Sequence, residues 1–152
     1  MKKKKNNVFL RILTEIWQLP QHIIAYVIMI VNCKSIKPMT NRDGILYYLV
    51  DNLFNSGISL GNYIFLDSDG YYDYKTIKHE FGHQKQSLML GPLYLIIIGL
   101  PSIIGNIIDR IKYKYFRRHY DPDFYYKQPW EAWADKLGGV VRKSINNVNK
   151  GL

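Results

Sequence analysis

Nineteen consecutive residues, Leu90 to Ile108, carry no charge. A stretch of that length can cross a bilayer as one helix, since the hydrocarbon core is about 30 Å thick. Its flanks argue for another use. His79-Glu80-Phe81-Gly82-His83 stands just before it, and Trp130-Glu131-Ala132-Trp133-Ala134-Asp135 follows some way after. If groups from both flanks meet at one site, the chain must return to the side it left. The intervening segment carries Arg110, Lys112, Lys114, Arg117, Arg118, Asp121, Asp123 and Lys127, too many charges to insert. A single span is therefore not expected. Pro101, with Gly99 and Gly105 nearby, predicts two short apolar helices folded as a hairpin and broken at Gly99-Leu100-Pro101.

His79 to His83 fits the pattern H-E-x-x-H. On a helix, positions i and i+4 share one face, about one turn apart. Two imidazoles so placed can grip a single ion, and Glu80 lies beside them where it can meet an activated water. Gly82 costs about 1 kcal/mol of helix stability relative to Ala. Its presence is expected to mark the close approach of another backbone or of the site wall.

A catalytic zinc keeps three protein ligands and one open position. After His83 the acidic and imidazole residues are Asp109, His119, Asp121, Asp123, Glu131 and Asp135. Asp121 and Asp123 flank Pro122 in a turn-like segment. Glu131 and Asp135 sit four apart on an otherwise apolar helix, and burying two carboxylates on one such face is expensive unless a cation meets them. Lys136 would permit the other reading, a solvated polar face.

H-E-x-x-H followed by a helix bearing E-x-x-x-D resembles the gluzincin group of zinc metallopeptidases, in a reduced form. The resemblance covers His79 to His83 and Glu131 to Asp135, and does not reach the N-terminal third. It implies Zn2+ as cofactor, His79, His83 and Glu131 as metal ligands, Asp135 as the residue that orients His79, and Glu80 as the general base. No match fixes the group that stabilises the oxyanion. His119, Tyr120, Tyr125 and Tyr126 are suitable donors, with His119 and Tyr120 ranked ahead. The third histidine of the metzincin pattern is missing from Gln84-Lys85-Gln86-Ser87-Leu88, and the two Asp-Gly pairs, at Asp43 and Asp69, precede the motif outside any apolar run. Those two relatives of the pattern are set aside.

The expected fold is α+β: a compact zincin-like domain, mainly helical, with a small β-sheet beside the active-site helix. With 152 residues the chain reads as one domain, 1–152, opening with a basic apolar helical segment over about 1–32. Apolar residues at 8, 9, 12, 13, 16 and 17 have helical spacing, and Pro20 ends or kinks that helix before a second helix, or a very hydrophobic continuation, over 21–32. Residues 34–44 read as a loop. Residues 45–54 fit helix or strand. Ile58 to Leu66 reads as one strand, the edge strand beside the active-site helix. A helix capped by Asp73 or Thr76 runs to Leu90 and stops at Gly91-Pro92, and a last helix follows Pro129 and ends near Gly138-Gly139.

Charge and cysteine content bound the partners. The net charge is +9, with basic blocks at Lys2–Lys5 and from Arg110 to Arg118. Both blocks flank apolar stretches, which points to an anionic membrane surface, and no zinc-finger or RNA-recognition pattern suggests a specific nucleic-acid partner. Arg11, Glu15 and Pro20 interrupt any signal-like segment, so a cytoplasmic protein, peripheral to a membrane at most, is expected. The single Cys33 excludes an internal disulfide and is expected to be buried. Three functions compete: a zinc peptidase acting on a peptide or protein substrate, a non-catalytic zinc-binding protein of the membrane surface, and a basic membrane- or nucleic-acid-binding protein in which the motif is coincidental.

Overall fold

The computed structural model describes residues 8–51, 57–68, 73–116 and 125–142, with backbone alone at Arg110, Tyr113, Tyr115 and Phe116. Lys2–Lys5, His119 and Tyr120 lie outside the described residues. Two helices open the chain, α1 (Val8–Trp17) and α2 (Leu19–Val31). Pro20 falls in the first turn of α2, where its missing N–H leaves no bond unmade. Four strands follow: β1 (Lys37–Thr40), β2 (Leu46–Val50), β3 (Gly57–Leu60) and β4 (Tyr63–Asp67). Then come α3 (Tyr74–Leu90), α4 (Leu100–Phe116) and α5 (Pro129–Gly138). The fold is α+β, as expected.

The strands form one mixed sheet in the order β1-β2-β4-β3, with β2 parallel to β4 and both outer pairs antiparallel. Side chains alternate across β4. Ile64 and Leu66 join Ile77 and Phe81 of α3, while Phe65 joins Ala25, Val50 and Leu60 on the α2 side. Both faces of β4 are therefore apolar, the signature of a strand covered on both sides. α3 lies on one face and α2 on the other.

Three expectations are corrected. The segment 34–44 is not all loop, since Lys37–Thr40 pairs with β2 as an exposed outer strand. Ile58 to Leu66 is not one strand. It folds back at Gly61-Asn62, where Gly61 has φ 60°, so that β3 and β4 form a hairpin with β3 at the sheet edge. Cys33 is exposed, because α2 ends at Val31 and the cysteine falls on the surface turn that follows.

The apolar stretch also folds differently. α3 ends at Gly91 (φ 54°), a single 3-10 turn spans Gly91–Leu93, and the next helix departs at 117°. Leu95–Gly99 forms a π turn that runs straight into α4. The bend is thus at Gly91-Pro92, and Pro101 is absorbed by the wider turn before it, which relieves the clash a proline ring makes with the preceding turn. No single helix among the described residues is long and apolar enough to cross a membrane, although the bent pair together has the length and composition.

The N-terminal helices are fastened to this bend. Trp17 Nε1 donates to the Leu88 carbonyl (2.9 Å), Gln18 Nε2 to Ser87 Oγ (2.9 Å), and the Gln21 carboxamide to the Gly91 carbonyl. Buried His22 sits over Gly61, with Nδ1 2.9 Å from Glu15 and Nε2 accepting from the Asn62 N–H (3.3 Å).

Candidate metal centre

α3 begins at an Asp73 cap whose carboxylate accepts from the Thr76 N–H (2.9 Å), and this sets the rotation of every later residue. His79, Glu80 and His83 then fall on the buried side of the helix. α5 crosses that side closely. A Cβ on Gly82 would lie 1.9 Å from the Ala134 carbonyl oxygen, and one on Gly138 would lie 2.0 Å from that of Lys78. Two glycines, one on each helix, let the backbones touch and bring Glu131 and Asp135 onto the histidines.

The result is a buried cluster of His79, His83 and Glu131. His79 Nε2 is 3.0 Å from Glu131 Oε2, His83 Nε2 is 3.2 Å from the same oxygen, and the two Nε2 atoms are 3.1 Å apart. Three corners of a tetrahedron with metal–ligand bonds of about 2.0–2.1 Å stand about 3.3 Å apart, so the cluster matches a tetrahedral ion in size.

The far side of each residue explains the orientation. His79 Nδ1–H donates to Asp135 Oδ1 (2.7 Å), which is itself gripped by Arg142 at 2.6 and 3.0 Å. His83 Nδ1–H donates to Gln86 Oε1 (2.7 Å), and the amide cannot be reversed because Gln86 Nε2 donates to the Trp130 carbonyl (2.8 Å). Glu131 Oε1 accepts from Ser102 Oγ (2.6 Å), which also contacts the Tyr125 hydroxyl (2.9 Å). With both Nδ1 atoms committed as donors, the two Nε2 atoms and the Glu131 carboxylate converge on one point. A positive charge there, a proton on an imidazole or a metal ion in its place, makes that arrangement favourable, and outer partners of this kind are what hold metal ligands in place.

The electrostatics agree. Burial opposes a charged His79, but its bonds to Asp135 and Glu131 and the nearby Glu80 push it up to about 9. Burial likewise opposes ionisation of Glu131 and Asp135, yet hydrogen bonding to His79, joined by His83 for Glu131 and by Arg142 for Asp135, holds both below the ordinary carboxylate range. Glu80 goes the other way. Burial raises it, and the two histidines only partly offset this. Its carboxylate lies against the edge strand, where a Cβ on Gly57 would fall 2.7 Å from Oε1.

The four residues expected to act at the metal, His79, Glu80, His83 and Glu131, are brought together, and Asp135 holds His79. His119 and Tyr120 lie outside the described residues. Tyr125 does reach the cluster, through Ser102, and the Tyr126 ring packs edge-on to His79 with Arg142 stacked on its face. Gln86, Ser102 and Arg142 were not anticipated. Gln86 was within reach of sequence reasoning, three residues beyond His83 on the same helix. Nothing in the sequence pairs Ser102 or Arg142 with the site. α4 and the start of α5 frame a groove of about 440 Å³, lined by Ile104, Ile108, Gln128 and Trp130 among others and by none of the cluster residues. Comparison with protein-family models, with curated proteins and with solved structures gave no match.

Proposed function

We propose that the chain is a zinc-dependent peptidase. The carrying observation is the convergence of His79 Nε2, His83 Nε2 and the Glu131 carboxylate on one point between α3 and α5, with Glu80 beside them. His79, His83 and Glu131 would hold the ion, and two imidazoles with one carboxylate are a donor set that suits zinc. When bound, zinc supplies Lewis-acid activation of water near neutral pH.

The remaining work falls to the chain. Glu80, the carboxylate beside the cluster, would take a proton from water and return it to the leaving amine. β3 is the outer strand of the sheet next to Glu80; its Ser59 carbonyl accepts from the Tyr94 hydroxyl (3.0 Å), so an extended peptide would pair with the Gly57 end of that edge.

The reading is tested by Glu80→Gln, measured for metal content and for cleavage of a peptide library with and without a chelator. Wild type should cleave and lose activity with EDTA. The variant should keep a full equivalent of zinc and lose turnover. Metal retention with unchanged cleavage would remove Glu80 from the mechanism. A wild type that binds zinc and cleaves nothing would favour a non-catalytic zinc-binding protein.

A further inference from the structure

Among the described residues, much apolar surface has no protein partner. No residue of α1 is buried, although seven of its ten residues are apolar. The helical rod formed by the π turn and α4 carries Ile96, Leu100, Ile103, Ile107 and Ile111 at exposures of 66, 54, 50, 51 and 48%. Their spacing of three and four residues puts them in one stripe along the rod. The opposite side of α4 is engaged, with Ser102 bonded to Glu131. The stripe therefore faces away from the candidate metal centre.

These helices share a corner. Gly91, at the bend before α4, lies directly under the Trp17 ring at the end of α1, and a Cβ there would stand 2.2 Å from Trp17 Cε2. Leu88, Met89 and Leu93, at the same corner, are all exposed. Soluble monomers rarely display contiguous apolar patches beyond a few hundred Å² without a use for them.

Charge identifies what covers this surface. Lys2–Lys5 immediately precede α1, and Arg110, Lys112, Lys114, Arg117 and Arg118 crowd the far end of α4 and the residues just after it. Both apolar helices are thus bordered in sequence by cationic blocks, in a chain of net charge +9. A second copy docking through the same faces would bring like charges together. An anionic bilayer instead offers hydrocarbon to the isoleucines and phosphate to the lysines and arginines. We infer that α1 and the outer stripe of α4 seat the protein in the interface of an anionic membrane, with the metal-binding cluster on the inner side of α4. The inference is independent of the peptidase reading.

Flotation of the full chain tests it, using vesicles of phosphatidylcholine alone and of phosphatidylcholine mixed with phosphatidylglycerol. The wild type should float with the mixed vesicles and more weakly with the neutral ones. Replacing Lys2–Lys5 with serine should narrow that difference. The triple variant Ile96→Asp, Ile103→Asp, Ile107→Asp should lose partitioning on the order of tenfold or more while keeping its metal content. If that variant does not fold, bromine-labelled lipid tails give a second measurement on the wild type: they should quench its tryptophan fluorescence, and less so in Trp17→Phe. A wild type that stays unbound with both vesicles, a triple variant that floats equally well, or an absence of quenching overturns the inference. So does a lipid-free dimer whose contact is broken by Ile103→Asp.

Discussion

At the residue scale, each candidate ligand depends on a neighbour that never touches the ion. Asp135 fixes the His79 tautomer and is fixed by Arg142; Gln86 does the same for His83, and Ser102 for Glu131. Asp135→Ala frees His79 Nδ1 and strands the Arg142 guanidinium, so metal affinity should fall roughly 10–100-fold. Ser102→Ala removes one bond to a carboxylate that keeps both histidines, and its effect should lie at the low end, roughly tenfold. Competition with a chromogenic chelator measures both, and wild-type affinity in Asp135→Ala would place that carboxylate outside the site. Proton balance gives a second check. His79 is raised to about 9, above its ordinary 6.5, so its protonated form stabilises the metal-free protein fully below pH 6.5 and loses that contribution as pH rises through about 9. Zinc needs the neutral ring. Binding at pH 7 should therefore release close to one proton, and affinity should climb about tenfold per pH unit before levelling near pH 9. Titration calorimetry in buffers of different ionisation enthalpy reads the proton directly.

At the scale of elements, the decisive contact is the crossing of α3 and α5. The helices touch at Gly82 on Ala134 and at Gly138 on Lys78, backbone against backbone, where no side chain can move aside. Gly82→Ala should therefore cost at least about 2–3 kcal/mol in urea unfolding and weaken metal binding as well, since the helices must part. Gly99→Ala is the contrast. Its Cβ would meet nothing closer than 3.7 Å, so that variant should unfold within about 1 kcal/mol of wild type. Equal stability of the two variants would contradict the crossing described above. The β3–β4 hairpin works at the same scale. It turns the strand back at Gly61 and so presents β3, rather than β4, as the edge beside Glu80.

For the whole molecule, His83 and Glu131 meet although the uncharged stretch lies between them, and the chain achieves this with a sharp bend at Gly91 rather than a hairpin at Pro101. Residues before and after the stretch should then stay on one side of any membrane the protein binds. With vesicles present, a membrane-impermeant thiol reagent should label the native Cys33 and a cysteine placed at Lys85 or at Lys127 alike. Protection of Lys127→Cys alone would mean that the stretch spans the bilayer, and would dissolve the shared cluster with it.

Much of this was legible along the chain. Local signals set α1, α3 and α5: apolar spacing, the Asp73 cap, Pro129 at a helix start, and the stops at Gly91 and Gly139. The i, i+4 pairs His79–His83 and Glu131–Asp135 needed only helical geometry to be read as faces. Gly61-Asn62 was also a readable turn signal, masked by the β-favouring residues on both sides of it. Other features depended on contacts between distant segments. Lys37–Thr40 is a strand because β2 supplies its hydrogen bonds, while Lys37 and Pro38 disfavour that state. Cys33 is exposed because α2 stops just short of it. The bend at Gly91 is seated by Trp17 and Gln21, seventy residues away along the chain for Gln21. Ser102 and Arg142 reach the candidate site only because α4 and the end of α5 pack beside it. Periodicity and capping report on neighbours within a few residues, and the tertiary structure alone decides which distant groups then complete a buried charge.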